Sequence, residues 1–345
     1  MIIVTVYRSA NCPLCDEVIA HLQELQSAYD LQIAVVNIEK GENSQPLGED
    51  ALPIVEVGPY RLHPPFSRQT LEITLGAARD RQAQIQRVDE KAYQNRVHKT
   101  EHWTAADALS LWLSRHYLAL FNLFLLLYVG LPFLAPVSLR MGWTGLANAI
   151  YKVYSPLCHQ LAFRSWFLFG LQPYYPREVA HLPDIASYEA VTGLNSQDLA
   201  RARALTGGEA VGYGAGALGY KVALCERDVA IYGSMLLFGL VFALTGRRWK
   251  SLPWYLWVVV GLLPIAVDGL SQLPGLIPFF SRWALVREST PLLRTITGFL
   301  FGWTTMWYLY PIIEENMRET RIGLQRKWGV INQIRQRQHA SDPGK

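Results

Sequence analysis

Cys12-Pro13-Leu14-Cys15 sets two thiols three residues apart, one turn of a helix if a helix begins there. Such a pair can carry two-electron chemistry. A thiolate at a helix N-terminus is stabilised by unpaired amides and by the helix dipole, so its pKa falls and it becomes a nucleophile. The second thiol, one turn on, can resolve the mixed disulfide that results. Cys12 is the expected attacking thiol and Cys15 the resolving one. Two other readings stay open: half of a zinc site, with His21 and His63 as the local candidates, and an inert thiol pair that keeps the fold. The remaining cysteines, Cys158 and Cys225, lie far apart in an apolar half of the chain.

The elements around the dithiol can be read from periodicity. Ile2–Tyr7 is a β-branched run that predicts a buried strand. A loop with Ser9, Asn11 and Pro13 follows, then an amphipathic helix carrying Val18, Ile19, Leu22 and Leu25 at helical spacing. Residues 31–38 predict a second strand, residues 54–57 a third, residues 60–62 a fourth, and a last helix runs from Arg68 to about Asp80. The order is β-α-β-β-β-α, with the two cysteines where the first strand meets the first helix.

Residues 1–80 resemble the glutaredoxin-like branch of the thioredoxin superfamily through VTVYRSANCPLCDE, VVNIE and ALPIVEVG. The resemblance implies a thioredoxin-like α/β fold, dithiol exchange at Cys12 and Cys15, and a cis proline against the dithiol at Pro53. Leu14 stands where the family often has an aromatic residue, and no Gly-Gly pair follows the turn after Pro53. Dithiol exchange is therefore implied, and glutathione binding is not.

Composition separates this unit from the rest. Of 345 residues only 17% are charged, against a usual share of about 25%, and mean hydropathy is +0.10. Most charges fall in residues 1–116 and after Glu314. This excludes an ordinary soluble two-domain enzyme and a disordered or collagen-like chain. A net charge of +4 is too small to argue for nucleic acid, and four cysteines exclude a disulfide-dense secreted scaffold. A spanning helix needs roughly 20 apolar residues. Four stretches meet or approach that: residues 117–136, 229–246, 253–272 and 295–313. A fifth, residues 143–170, is interrupted by Lys152, His159 and Arg164 and is expected to be an interfacial or re-entrant helix. Basic residues crowd the segment before the first stretch, the loop with Arg247, Arg248 and Lys250, and the tail from Glu314. The positive-inside rule makes these regions cytoplasmic, so both termini are expected inside a multi-pass inner or plasma membrane protein. MIIVTVYR has no basic n-region and too short an apolar run for a signal peptide.

Polar residues recur at one expected depth near the outer face: Cys158, His159, Gln160 and Arg164, then Cys225, Arg227 and Asp228, then Asp268 and Gln272, then Arg287. Intramembrane ionisable groups are costly and point to function. CHQ…RS, C-x-R, IY-x-S, DG-x-x-Q and REST-x-x-x-R, spread over roughly 150–303, resemble a bacterial and archaeal membrane family known only as domain of unknown function 2085. Three chemistries compete here. A metal, with zinc best suited, would take Cys158, His159, Cys225 and Asp268 or Asp228. A disulfide or redox pair would join Cys158 and Cys225. A structural network would bury Arg–Asp pairs with the cysteines packed as small apolar groups. Residues 171–221 read as an outer insertion, with the glycine-rich 207–219 flexible or, on a sharper reading, a partner-docking hairpin.

The expected architecture is an α/β thioredoxin-like domain (1–80) and a helical linker (81–116). An all-α polytopic membrane domain of four transmembrane helices and an interfacial helix (117–313) and a basic cytoplasmic tail (314–345) follow. The expected function is a membrane-tethered thiol–disulfide oxidoreductase acting on a protein disulfide, in contact with membrane lipid and not with nucleic acid. No cysteine lies inside the expected spans, so exchange between the two pairs would require a quinone, a partner protein or a different topology. The alternative is a non-enzymatic accessory subunit or transporter-like protein whose thioredoxin fold docks a partner membrane subunit.

Overall fold

The computed structural model describes residues 2–9, 11–37, 52–88, 102–212, 214–272 and 287–341. Two compact units divide it: residues 1–117 with 314–345, and residues 118–313.

In the first unit, β1 (Ile2–Arg8) pairs in parallel with β2 (Leu31–Asn37) and antiparallel with β3 (Ile54–Val57), which pairs antiparallel with β4 (Tyr60–Leu62). The sheet order is β2-β1-β3-β4, and the elements follow one another along the chain in the expected β-α-β-β-β-α order, with one extra helical turn before β2. The connection from β1 to β2 must cross over because the two strands are parallel. It does so through α1 (Pro13–Glu24) and the single turn α2 (Gln26–Tyr29). Side chains alternate along β1. Val4 and Val6 face a core with Leu22 of α1 and with Leu71 and Leu75 of α3 (Arg68–Val88), each burial stabilising by roughly 1.5–3 kcal/mol. Tyr7 points the other way, to a second cluster with Val36, Ile54 and Ile322.

Ile322 comes from the far end of the chain. The tail expected to follow Glu314 is the last part of a 51-residue helix, Pro291–Ser341. Its buried Val330 and Ile331 and its half-buried Ile322 give this segment an apolar stripe among its basic residues. Arg326 pairs with Glu56 at 3.6 Å, and Glu56 also accepts from the Tyr7 hydroxyl at 2.8 Å and pairs with Arg61. Lys327 pairs with Asp107 at 2.7 Å, and Trp328 meets Trp103 edge to face. Two of the basic residues of the expected tail, Arg326 and Lys327, thus hold ion pairs within the unit. The α3 helix also runs past the expected boundary at residue 80, to Val88, while residues 89–101 of the expected linker lie outside the described residues.

The second unit departs further from expectation. Its first helix, α4 (Ala105–Arg140), starts twelve residues before the apolar stretch, in the first unit. The expected interfacial helix shortens to α5 (Thr144–Tyr154). Pro156 follows in the sequence, and residues 165–168 turn into a strand, β5 (Ser165–Leu168). That strand pairs with β7 (Gly214–Cys225), and β7 pairs with β6 (Gly207–Ala210), giving an antiparallel sheet in the order β5-β7-β6. An all-α reading of this domain is therefore incomplete, and the glycine-rich stretch is a hairpin. The inserted residues share one core, in which Phe163, Phe167, Tyr175 and Tyr188 are buried. The short helices α6 (Tyr188–Thr192) and α7 (Leu199–Ala204) frame it.

After β7 come α8 (Glu226–Leu244), α9 (Trp254–Leu270) and α10, the long helix from Pro291. Among the described residues two helices, α4 and α8, are long and apolar enough to cross a membrane. At 17 residues α9 is shorter, and it takes π turns over Trp257–Leu262. Helix contact depends on small residues. A Cβ at Gly302 of α10 would strike the carbonyl of Ile231 and the hydroxyl of Ser234 on α8, and one at Gly298 would meet the Arg227 carbonyl at 2.9 Å. Glycines four apart let two backbones touch, which suits an environment where burial of apolar surface gives no drive to association.

Candidate functional site

Two places gather reactive side chains, one in each unit. In the first, Cys12 is the N-cap of α1 and Pro13 its first helical residue. Proline suits that place because its missing N–H has no helical acceptor to lose. The Cys12 sulfur accepts from the Cys15 amide at 3.2 Å. Cys12 and Cys15 are joined as a disulfide. Cys15 is fully buried and Cys12 is partly exposed. Asp16 in the first turn pairs with Arg8 at 2.7 Å. The Leu52–Pro53 peptide is cis, as the resemblance implied for Pro53. A pocket of about 330 Å³ runs beside α1, lined by Leu14, His21, Pro53, Phe66 and Arg68 among others. Leu14 is 59% exposed at its mouth. His63 does not line this pocket.

Of the ten residues expected to form one cluster in the second unit, nine separate into two groups. Cys158 follows α5 in a short loop, and Cys225 ends β7 and caps α8. Both are free thiols, and their sulfurs lie with a carboxylate oxygen of Asp228 in a set no wider than 4.8 Å. The thiols share a hydrogen bond that lowers the pKa of Cys158 and, together with burial, raises that of Cys225. Gln160 holds this loop. Its backbone is left-handed at φ 53°, its side-chain amide donates to Tyr151 at 2.9 Å and to Ala223 at 3.2 Å, and its N–H approaches the Cys158 sulfur at 3.5 Å. His159, next in sequence, is exposed and takes no part.

Asp268 belongs to the other group, so the expected pairing of Asp268 with the cysteines does not form. It meets Arg227 closely, accepts from Ser289 at 3.0 Å and lies 3.7 Å from Arg287. Gln272 donates to its carbonyl at 2.7 Å. Beside it, Glu288 is gripped by Arg164 at 2.9 Å, by Arg177 at 3.2 Å and by Arg294, while Arg294 also holds Glu226 at 3.2 Å. Glu226 and Arg294 are nearly inaccessible. Charges buried this way persist only when matched, and here each carboxylate has one to three guanidinium partners.

Sequence reasoning missed Lys221, which is wholly buried on β7. Its ammonium donates to the carbonyls of Gln160 at 2.7 Å and Arg203 at 2.8 Å, and burial lowers its pKa to about 7. Nothing in the strand pattern marks it. Glu226 and Glu288 lay inside the short motifs already noticed, CERD and REST, and the contrast of a charge with its apolar flanks was the available signal.

Comparison with known proteins agrees with this two-part description. An uncharacterised protein of Methanocaldococcus jannaschii is 28% identical over 211 residues, covering 59% of this chain and 96% of its own length. No solved structure matches. Residues 3–98 match the family model of the glutaredoxin-like domain (DUF836), and residues 217–308 match that of the predicted membrane protein family DUF2085.

Proposed function

We propose that the protein is a membrane-tethered thiol–disulfide oxidoreductase whose reactive pair is Cys12 and Cys15. The observation that carries this reading is the asymmetry of the pair: a reachable sulfur at a helix N-cap, and a buried one a turn later. In the reduced protein the Cys12 thiolate attacks one sulfur of a substrate disulfide. The substrate S–S bond breaks, one substrate thiolate leaves and takes a proton, and a mixed disulfide remains. Cys15 then gives up its proton and attacks the Cys12 sulfur. The mixed bond breaks, the second substrate thiol leaves, and Cys12–Cys15 is left oxidised. Two electrons have passed to the substrate, and a dithiol donor must return them. The pocket beside Leu14 and Pro53, lined by both apolar and polar side chains, offers a seat for an extended protein segment carrying the disulfide.

On this reading the protein sits in the inner or plasma membrane with four spans, α9 and the first part of α10 joining α4 and α8, and with both termini cytoplasmic. Basic residues flanking the apolar stretches support that orientation. The test uses the full chain in detergent with insulin as substrate. The reduced protein is expected to cleave insulin disulfides, and Cys12→Ser to abolish cleavage. Equal rates for the two proteins would refute the reading. Labelling of Cys158 by an impermeant maleimide from the cytoplasmic side would overturn the topology.

A further inference from the structure

Four carboxylates gather around the start of α8, and three of them are matched to arginines: Asp268 to Arg227, Glu226 to Arg294, and Glu288 to Arg164, Arg177 and Arg294. Asp228, in the first turn of α8, has no cationic partner among the described residues. It faces two thiols instead. We propose that Cys158, Cys225 and Asp228 form a binding site for a thiophilic divalent cation, zinc above others, with a fourth coordination position left open.

The donor set supports this. Two sulfurs and one carboxylate oxygen are a borderline-soft combination that suits zinc better than magnesium or calcium, which take oxygen ligands. In tetrahedral zinc sites, bond lengths of about 2.0–2.3 Å put the donor atoms roughly 3.3–3.8 Å apart. Here they all lie within 4.8 Å of one another, so small side-chain rotations close the difference. Each donor comes from a different element: the loop after α5, the end of β7 and the first turn of α8. The loop is pinned by Gln160 through its two side-chain hydrogen bonds. Both sulfurs already receive a backbone amide, Cys158 from Gln160 at 3.5 Å and Cys225 from Asp228 at 3.4 Å. Donors of that kind orient a ligand and offset its charge.

A disulfide between Cys158 and Cys225 accounts for less. It has no use for the carboxylate, and a negative charge at that distance opposes the thiolate that exchange requires. A divalent cation draws all three donors together. Three protein ligands also fall one short of a closed structural site, leaving room for water or a substrate atom.

The experiment uses the full chain in detergent, purified without reductant so that Cys12–Cys15 stays bonded and offers no ligand. Protein is loaded with cobalt(II) or zinc(II) alone, freed of excess and measured by elemental analysis and near-ultraviolet absorption. Expected are about one metal per chain and a thiolate-to-cobalt charge-transfer band, both lost in Cys158→Ser and in Cys225→Ser. Asp228→Asn, nearly isosteric, guards against misfolding as the cause. Shown to be folded by circular dichroism and elution volume, it should bind cobalt at least about tenfold more weakly. Undiminished binding by folded Asp228→Asn, unchanged metal content in Cys225→Ser, or recovery of a Cys158–Cys225 disulfide by peptide mapping would each overturn the site.

Discussion

The two cysteine pairs use the same local device and differ in where the second sulfur comes from. Cys12 comes shortly after a strand and Cys225 ends one, each caps a helix, and each accepts from the amide three residues on. At position i+3 the first site has Cys15 and the second has Asp228. In the first site the pair therefore completes itself within one turn, and its geometry depends on α1 alone. In the second site the partner thiol arrives from a separate loop, and a carboxylate occupies the place of the resolving sulfur. The same helix start is suited to electron exchange when its neighbour is a thiol, and to holding a cation when its neighbour is a carboxylate.

The largest effect is expected at Cys12. Replacing it with serine should slow disulfide reduction by more than about a thousand-fold, the scale of losing a nucleophile. Cys15→Ser should instead trap the substrate as a covalent mixed disulfide, visible on non-reducing gels. A Cys15→Ser protein that turns over normally would erase the distinction between the sites. Next in size is the frame of the second site. Arg294→Met strips Glu226 and Glu288 of a buried partner and is expected to destabilise the second unit by about 3–5 kcal/mol, measured by denaturant titration in detergent. An unchanged midpoint would mean that the charge network is not what holds Cys158 near Cys225. Gly302→Leu should cost about 1–3 kcal/mol by forcing α10 away from α8, in the same assay.

The smallest effect tests the frame of the first site. Burial and the Glu56 hydrogen bond push the Tyr7 hydroxyl up to about 12. A group whose folded pKa is raised contributes stability that is whole below its unfolded value near 10 and is lost as pH rises through 12. Tyr7→Phe should therefore cost about 1 kcal/mol near neutrality and remove one late-titrating tyrosinate from the absorbance at 295 nm. A titration curve identical to that of the parent protein would show that the hydroxyl is not held there.

What was legible in the sequence follows from the same contrast. Cys12 and Cys15 are three residues apart in the chain, and local spacing is what a sequence displays. The strands around them were legible from their β-branched runs, while their order in the sheet came only from the structure. Cys158, Cys225 and Asp228 are assembled by the loop after α5 and the hairpin β6–β7, which the density of glycine in residues 207–219 concealed. Glycine there serves a tight hairpin, with Gly212 at positive φ in the turn between β6 and β7, and it mimics a flexible linker in composition. His159 attracted a metal assignment because it adjoins Cys158, yet neighbouring residues rarely face the same way. The Arg–Glu pairings were hidden for a related reason: sequence displays charges in apolar surroundings and leaves their partners to the fold.

The long helix that supplies Ile322 to the first unit has a bearing on synthesis. The cluster around Tyr7, Val36 and Ile54 is made within the first 60 residues, and the residue that packs on it emerges some 260 later. At roughly 5–20 residues per second that interval is about 10–50 s. During it the nascent domain shows water an apolar face that the finished protein covers, and chaperones or the membrane surface can compete for it. A ribosome stalled before residue 322 would leave a dithiol domain with that face bare.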